Sequence, residues 1–193
     1  RALAMDLHAD SIQGFFSIPF DHLTSLPTMA TYLEKRGYGG EDTVVVSPDV
    51  GGVVRARMLQ ERINSTIAII NKRRPKPNEV EVGEIVGSVE GKRCIMIDDI
   101  VDTAGTLTKG AELLIEKGKA KEVSAFCTHG VLSGPAFERV EASPLTELLI
   151  TDTIPLPEDS SVPDKIKTIS VADVFGEAIS RNFEQKSISE LFN

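Results

Sequence analysis

The stretch CIMIDDIVDTAGTL, residues 94–107, ends an apolar run in two aspartates. A third aspartate, two threonines and a glycine follow before helix-forming sequence resumes. Where a strand turns into a helix, the first backbone N–H groups of the helix are unpaired and sit at a positive dipole end, which attracts phosphate. Thr103 and Thr106 add hydroxyl donors, and Gly105 lets the backbone approach a ligand closely. Asp98 and Asp99 would repel a phosphate placed beside them; they suit vicinal hydroxyls or a metal ion. A sugar phosphate satisfies both ends of the junction at once. A plain helix cap explains one Asp or Thr, not three aspartates. Rival motifs fit less well. No lysine follows the glycines as a P-loop requires, GxGxxG is absent, and the aspartates lack the spacing of a phosphoaspartyl phosphatase.

Such a junction needs a sheet to carry it. Short apolar runs (ALAM, TVVVSPD, TIAII, EIVGSV, RCIMIDD, EVSAFCTHG, ELLITDT, KIKTISV) alternate with amphipathic helical stretches. That alternation predicts an α/β fold, a mainly parallel sheet with helices on both faces. The segment NKRRPKPNEVE, residues 71–81, reads as a polar loop because its prolines cannot join a central ladder. Ligands in such folds collect at the carboxyl ends of strands. Those ends here read MDLHAD, VSPDVGG, INKRRPK, IDDIVDTAGT, CTHGVLSG and TDTIP, a polar rim facing one site.

The 193 residues, 41% of them hydrophobic, allow one sizeable core, and 1–193 reads as a single domain. A net charge of -8 argues against a nucleic-acid-binding face, which needs a basic stripe. Cys94 and Cys127 lie in strand-like runs without CxxC spacing and read as buried thiols of a reducing cytoplasm. No run reaches membrane-spanning length, so no membrane partner is expected. The chain opens on RALAMDLHAD, without an initiator methionine and on a strand-like run, which reads as the C-terminal part of a longer protein.

The junction resembles the phosphoribosyl-pyrophosphate motif of the type I phosphoribosyltransferase fold, shared by the phosphoribosyltransferases and the ribose-phosphate pyrophosphokinases. Three further segments resemble the pyrophosphokinases. MDLHADSIQGFFSIPFDHL is similar to their metal- and ATP-associated signature, VVSPDVGG to their pyrophosphate loop, and NKRRPKPNEVE to their flexible catalytic loop. The tail SISELF, residues 187–192, resembles a stretch tied to their regulatory site. The motifs stand in the family's order across essentially the whole chain.

The resemblance implies transfer of the diphosphoryl group of ATP to the anomeric hydroxyl of ribose 5-phosphate, with AMP leaving, in the service of nucleotide biosynthesis. It implies that Asp102, Thr103, Ala104, Gly105 and Thr106 hold the 5-phosphate and that Asp98 and Asp99 hold the ribose hydroxyls. Asp49, Gly51 and Gly52 would wrap the diphosphate, Asp49 and His8 would meet a magnesium ion, and Lys72 and Arg74 would be catalytic, Arg74 also binding ribose 5-phosphate. It further implies a cytoplasmic homo-oligomer, a hexamer in the full-length family, regulated by phosphate and ADP. Two departures stand out. Ser17 replaces the family's usual aspartate. The family's first domain, which supplies much of the ATP site, has no counterpart here, so this chain alone is expected to be inactive. Two alternatives stay open: a phosphoribosyltransferase of nucleotide salvage, which would not need the DLHADSIQGFF signature, and a non-catalytic regulatory relative, in which the catalytic loop is typically damaged.

Overall fold

The runs 43–47, 94–97 and 123–128 are buried residue after residue, without the alternation of a sheet that faces water. Only strands covered on both sides tolerate that. In the computed structural model, which describes residues 1–73, 82–158 and 161–192, they form the middle of a seven-stranded sheet. Its strands are β3 (Gly40–Ser47), β4 (Ser65–Arg73), β5 (Val82–Val86), β6 (Arg93–Val101), β7 (Glu122–Gly130), β8 (Leu145–Thr151) and β9 (Ile166–Ile169). Their order is β5-β4-β3-β6-β7-β8-β9, and every pairing is parallel except that of β4 with β5.

Alternate strand residues feed the two faces. Val45, Ile95, Ile97, Phe126 and Leu149 pack with α1 (Leu26–Lys35) and α2 (Val53–Arg62). Val44, Val46, Met96, Ala125, Cys127 and Ile150 pack with α3 (Gly105–Glu116) and α4 (Ala136–Ala142). Gly110 lets α3 lie close on β6, because a Cβ there would stand 2.5 Å from the Met96 methyl. After β3 the chain proceeds to one side of the sheet, and after β6 to the other. The crevice between the carboxyl ends of β3 and β6 is therefore a topological switch point, where ligands of open α/β sheets bind. Asp49 follows β3, and Asp98 and Asp99 lie near the end of β6.

Three expectations need correction. The ALAM run, β1 (Ala2–Met5), is not part of the main sheet. It pairs in parallel with β2 (Phe20–Leu23) in a separate two-stranded sheet, over which Val171 and Ala178 at α5 (Ala172–Phe183) meet Met5 and Leu23. The polar loop expected over residues 71–81 does not include its first three: Asn71, Lys72 and Arg73 continue β4 and pair with Glu84, Gly83 and Val82, and residues 74–81 lie outside the described residues. Backbone ladders do not depend on side-chain polarity, so a polar edge hairpin escapes a reading based on apolar runs. Finally, β2, α4 and a 3-10 turn at Asp10–Phe15 are only four, seven and six residues long, too short to show a period in the sequence.

Both cysteines are buried free thiols. Burial pushes Cys94 up to about 12 and Cys127 well above its ordinary value. An alkylating probe at pH 8 is therefore expected to leave both unlabelled in the folded chain and to label both in denaturant, read by mass spectrometry. Labelling of either thiol under native conditions would contradict that burial.

Candidate functional site

The turn after β3 is built from its own polar groups. Ser47 Oγ donates to the Asp49 carbonyl at 2.6 Å, and Gly52 N–H donates to Asp49 Oδ1 at 2.9 Å. Gly52 begins α2 as its cap, and a Cβ there would lie 2.9 Å from Ser47 Oγ. The turn thus demands glycine at that point.

At the end of β6 two adjacent carboxylates differ sharply. Asp98 is driven up to about 7, first by burial and then by the hydrogen bond it shares with Asp99 and the charges of Asp99 and Asp49. Asp98 Oδ1 accepts the Asp99 N–H at 2.9 Å. Asp99 is 4% exposed, and burial alone would raise it. Hydrogen bonds with Asp98 and His8 and the charge of Arg55 outweigh that and hold it below the usual carboxylate range. His8 Nδ1 lies 2.8 Å from Asp99 Oδ2, and Arg55 Nη1 lies 3.3 Å from Asp99 Oδ1. One carboxyl is therefore poised to share a proton or meet a cation, while its neighbour stays ionised. Such separation marks functional sites.

The strand-to-helix loop follows. Ala104 caps α3 in the left-handed region, φ 58. Backbone freedom is thus drawn on at Ala104 rather than at Gly105, at a strain of about 1–2 kcal/mol. Such strain in a loop marks a site that the surroundings enforce. Asp102 and Thr106 are exposed, and Asp102 accepts a hydrogen bond from Ser133 Oγ. Arg139 of α4 donates to the Thr103 carbonyl at 2.9 Å, bringing a guanidinium beside the helix start.

A cleft of about 890 Å³ gathers His8, Asp49, Gly51, Gly52, Asp98 and Asp99 from segments far apart in the chain. Asp102, Thr103, Ala104, Gly105 and Thr106 are not in its lining; they form a second, adjoining surface at the start of α3. Lys72 stands on β4 rather than in a loop. Ser47 pairs with Ile69, so β4 runs four residues beyond the end of β3, toward the same end of the sheet as the Asp49 turn. Arg74 lies outside the described residues. The tail also reaches this region: Phe192 lines the cleft, and its carbonyl accepts a hydrogen bond from Arg62.

The residues fit magnesium in one particular way. Among the described residues, no three His, Cys, Asp or Glu side chains gather to hold a metal by themselves. Magnesium takes one or two carboxylates and fills its shell with water and substrate phosphates. Asp49 and Asp98, both on the cleft wall, would supply such carboxylates.

The family described as phosphoribosyl synthetase-associated domain matches residues 75–193. The chain belongs to this family. Within the phosphoribosyl synthetase-associated family, its relatives include a ribose-phosphate pyrophosphokinase of Fusobacterium nucleatum, 58% identical over all of this chain and 60% of its own length. The enzyme of the same name from Clostridium acetobutylicum is 54% identical, with the same coverage. The chain therefore spans about 60% of the length of the curated relatives it matches. A crystal structure of phosphoribosylpyrophosphate synthetase from Mycobacterium smegmatis is 37% identical and superposes with a TM-score of 0.85 over 95% of this chain and 58% of that one. An adenine phosphoribosyltransferase structure, 18% identical with a TM-score of 0.50 over 65% of this chain and 76% of that one, shares the fold alone. The expected type I phosphoribosyltransferase-like architecture is the one observed.

Sequence reasoning missed Arg55 and Arg139 in this synthetase-family domain. Arg55 lies on a helix face that reads as ordinary amphipathic sequence. Arg139 lies on a short helix that the sequence did not reveal, and neither carries a local motif.

Proposed function

We propose that this chain forms the ribose 5-phosphate and diphosphate side of a ribose-phosphate diphosphokinase, which transfers the diphosphoryl group of ATP to the anomeric hydroxyl of ribose 5-phosphate and releases AMP. The observation that carries this reading is the meeting of His8 with Asp99. His8 follows a strand of a separate two-stranded sheet, yet its ring closes on Asp99 of the carboxylate pair. A base-joining phosphoribosyltransferase needs the loop but not that second element.

In this reading Asp102, Thr103, Ala104, Gly105 and Thr106 present hydroxyls and helix-start N–H groups to the 5-phosphate. Asp98 and Asp99 accept from the ribose hydroxyls and fix the anomeric oxygen. Asp49, Gly51 and Gly52 receive the diphosphate. Magnesium would be held by Asp49 and His8 with a carboxylate of the pair, and it would supply neutralisation of charge on the transferring group. Lys72 and Arg74 are assigned the cationic charge that meets the transferring group. The reaction is mostly positioning and charge neutralisation, since attacking oxygen, phosphorus and leaving oxygen need only be held in line. ATP contacts from the rest of the longer protein, assembly into a hexamer and a cytoplasmic location complete the proposal. Among the described residues, no helix is long and apolar enough to cross a membrane.

The test is AMP formation from ATP and ribose 5-phosphate by the full-length protein. Release of a base-ribose product instead, or no turnover with the fold intact, would reject the reading. On the chain as it stands, calorimetry is expected to show ribose 5-phosphate binding. Asp102→Ala or Thr106→Val should weaken it by about 1–3 kcal/mol, the worth of a hydrogen bond to a charged group.

A further inference from the structure

The segment before His8 is held by a buried polar knot to which the proposed reaction assigns no task. Asp6 follows β1 in the left-handed region, φ 42, and is 6% exposed. Its Oδ2 accepts three hydrogen bonds: from Ser25 N–H at 3.0 Å, Ser25 Oγ at 2.6 Å and Thr128 Oγ1 at 2.7 Å. Thr128 lies on β7. Because Asp98 pairs with Cys127 and Ile100 with His129, Thr128 sits alongside Asp99 on the neighbouring strand. His129 Nε2 stands 3.0 Å from the Met5 carbonyl and 3.2 Å from that of Asp6. The next N–H, that of Leu7, donates to His22 Nε2 at 2.8 Å.

Residues 5, 6 and 7 are thus each tied in place, two of them directly to β7, and the residue after them brings Nδ1 to Asp99. A free strand end would leave the His8 ring, whose side chain is 81% exposed, to sweep through many rotamers. Aspartate tolerates the left-handed region better than most residues, and its carboxylate supplies the acceptor that three converging donors need.

We propose that Asp6, anchored by Ser25 and Thr128, is a positioning residue that sets the turn delivering His8 to Asp99. It reads the position of β7 and transmits it to the site, so the two-stranded sheet docks in register with the sugar loop. This rests on the function proposed above.

The test is a double-mutant cycle in the full-length protein. Asp6→Asn and Thr128→Val should each lower kcat about 10–100-fold, the loss typical when an orienting partner of a site residue is removed. In a His8→Ala background, neither should lower kcat by more than about twofold further, because both act through that ring. Thr128→Ser, which keeps the hydroxyl, should restore the parent rate. Losses that multiply in the His8→Ala background would overturn the proposal and leave the knot as a structural clamp, as would parent-like kcat in Asp6→Asn. Should Asp6→Asn fail to fold, the Thr128→Val and Thr128→Ser pair carries the same comparison. A second readout is independent of turnover. The chain has three histidines, so ring NMR signals are assignable. Asp6→Asn should move the His8 ring signals toward those of a free imidazole, and unchanged signals would overturn the proposal even if the parent makes no AMP.

Discussion

Replacing Lys72 with alanine in the full-length protein is expected to lower kcat by about 10²–10³-fold, the loss typical of removing one preorganised electrostatic contact. Its position supports a rate effect. The residue continues β4 and its backbone pairs with Gly83, so its Cα is fixed by a ladder rather than carried on a free loop. In the proposed reaction, an ordered backbone at this position reduces the reorganisation that a cation carried by it would need as charge develops on the transferring phosphorus. Affinity for ATP in the ground state should change much less, because only an interaction that strengthens in the transition state alters kcat. Lys76, four residues further along, is the control, and Lys76→Ala should remain within several-fold of the parent. Equal and mild effects of the two substitutions would remove Lys72 from the chemistry.

The adjacent carboxylates should respond to neutralisation in opposite directions. In chelator-containing buffer, Asp99→Asn should destabilise the fold by about 2–4 kcal/mol, because it strips Arg55 and His8 of their shared, buried partner. Asp99 sits below its ordinary value when folded, so its contribution is present above about pH 4 and is lost as pH falls through the folded value. Asp98 has the other sign. With a folded value of about 7 against the ordinary 3.8, the folded chain binds more protons than the unfolded chain between those limits. Stability from this group therefore declines as pH rises from about 4 to 7 and is flat above. Asp98→Asn lacks that decline and should be the more stable protein at pH 8, by about 1–3 kcal/mol after allowance for partial solvent exposure. Denaturant melts at pH 5 and pH 8 check both. A gap between Asp98→Asn and parent that does not widen with pH would refute the account of Asp98. The same two variants should both lose ribose 5-phosphate binding, so stability and function part company at Asp98, as expected of a group placed for its ligand.

Much of this arrangement was legible in the chain. The uninterrupted apolar runs ending in aspartates gave the central strands β3 and β6, and strand-to-helix alternation gave the parallel sheet. Asp49, Asp98 and Asp99 do meet, because strands that flank a switch point bring their carboxyl ends together whatever their separation in sequence. What escaped was relational. Arg55, Arg139 and Asp6 acquire their partners only through packing between elements, and no spacing along the chain announces that Thr128 will face Asp6. The membership of β1 in a sheet of its own escaped for a similar reason. Its partner β2 is four residues long, follows a proline and holds an aspartate and a histidine, so nothing local marks it as a strand.

That small sheet has a thermodynamic consequence. Two parallel strands of four residues each cannot persist alone in water, so their order depends on what they dock against. Such elements open at a small fraction of the global unfolding free energy, and amide exchange on Leu3 and Ala4 should report it as faster than on Val45 or Ile95. Only molecules in which the element is closed carry a complete site. If the closed fraction is f, the apparent dissociation constant of any ligand that requires His8 is the intrinsic one divided by f. Whatever stabilises the closed element then tightens binding without touching the ligand, and by reciprocity the ligand itself protects those amides from exchange.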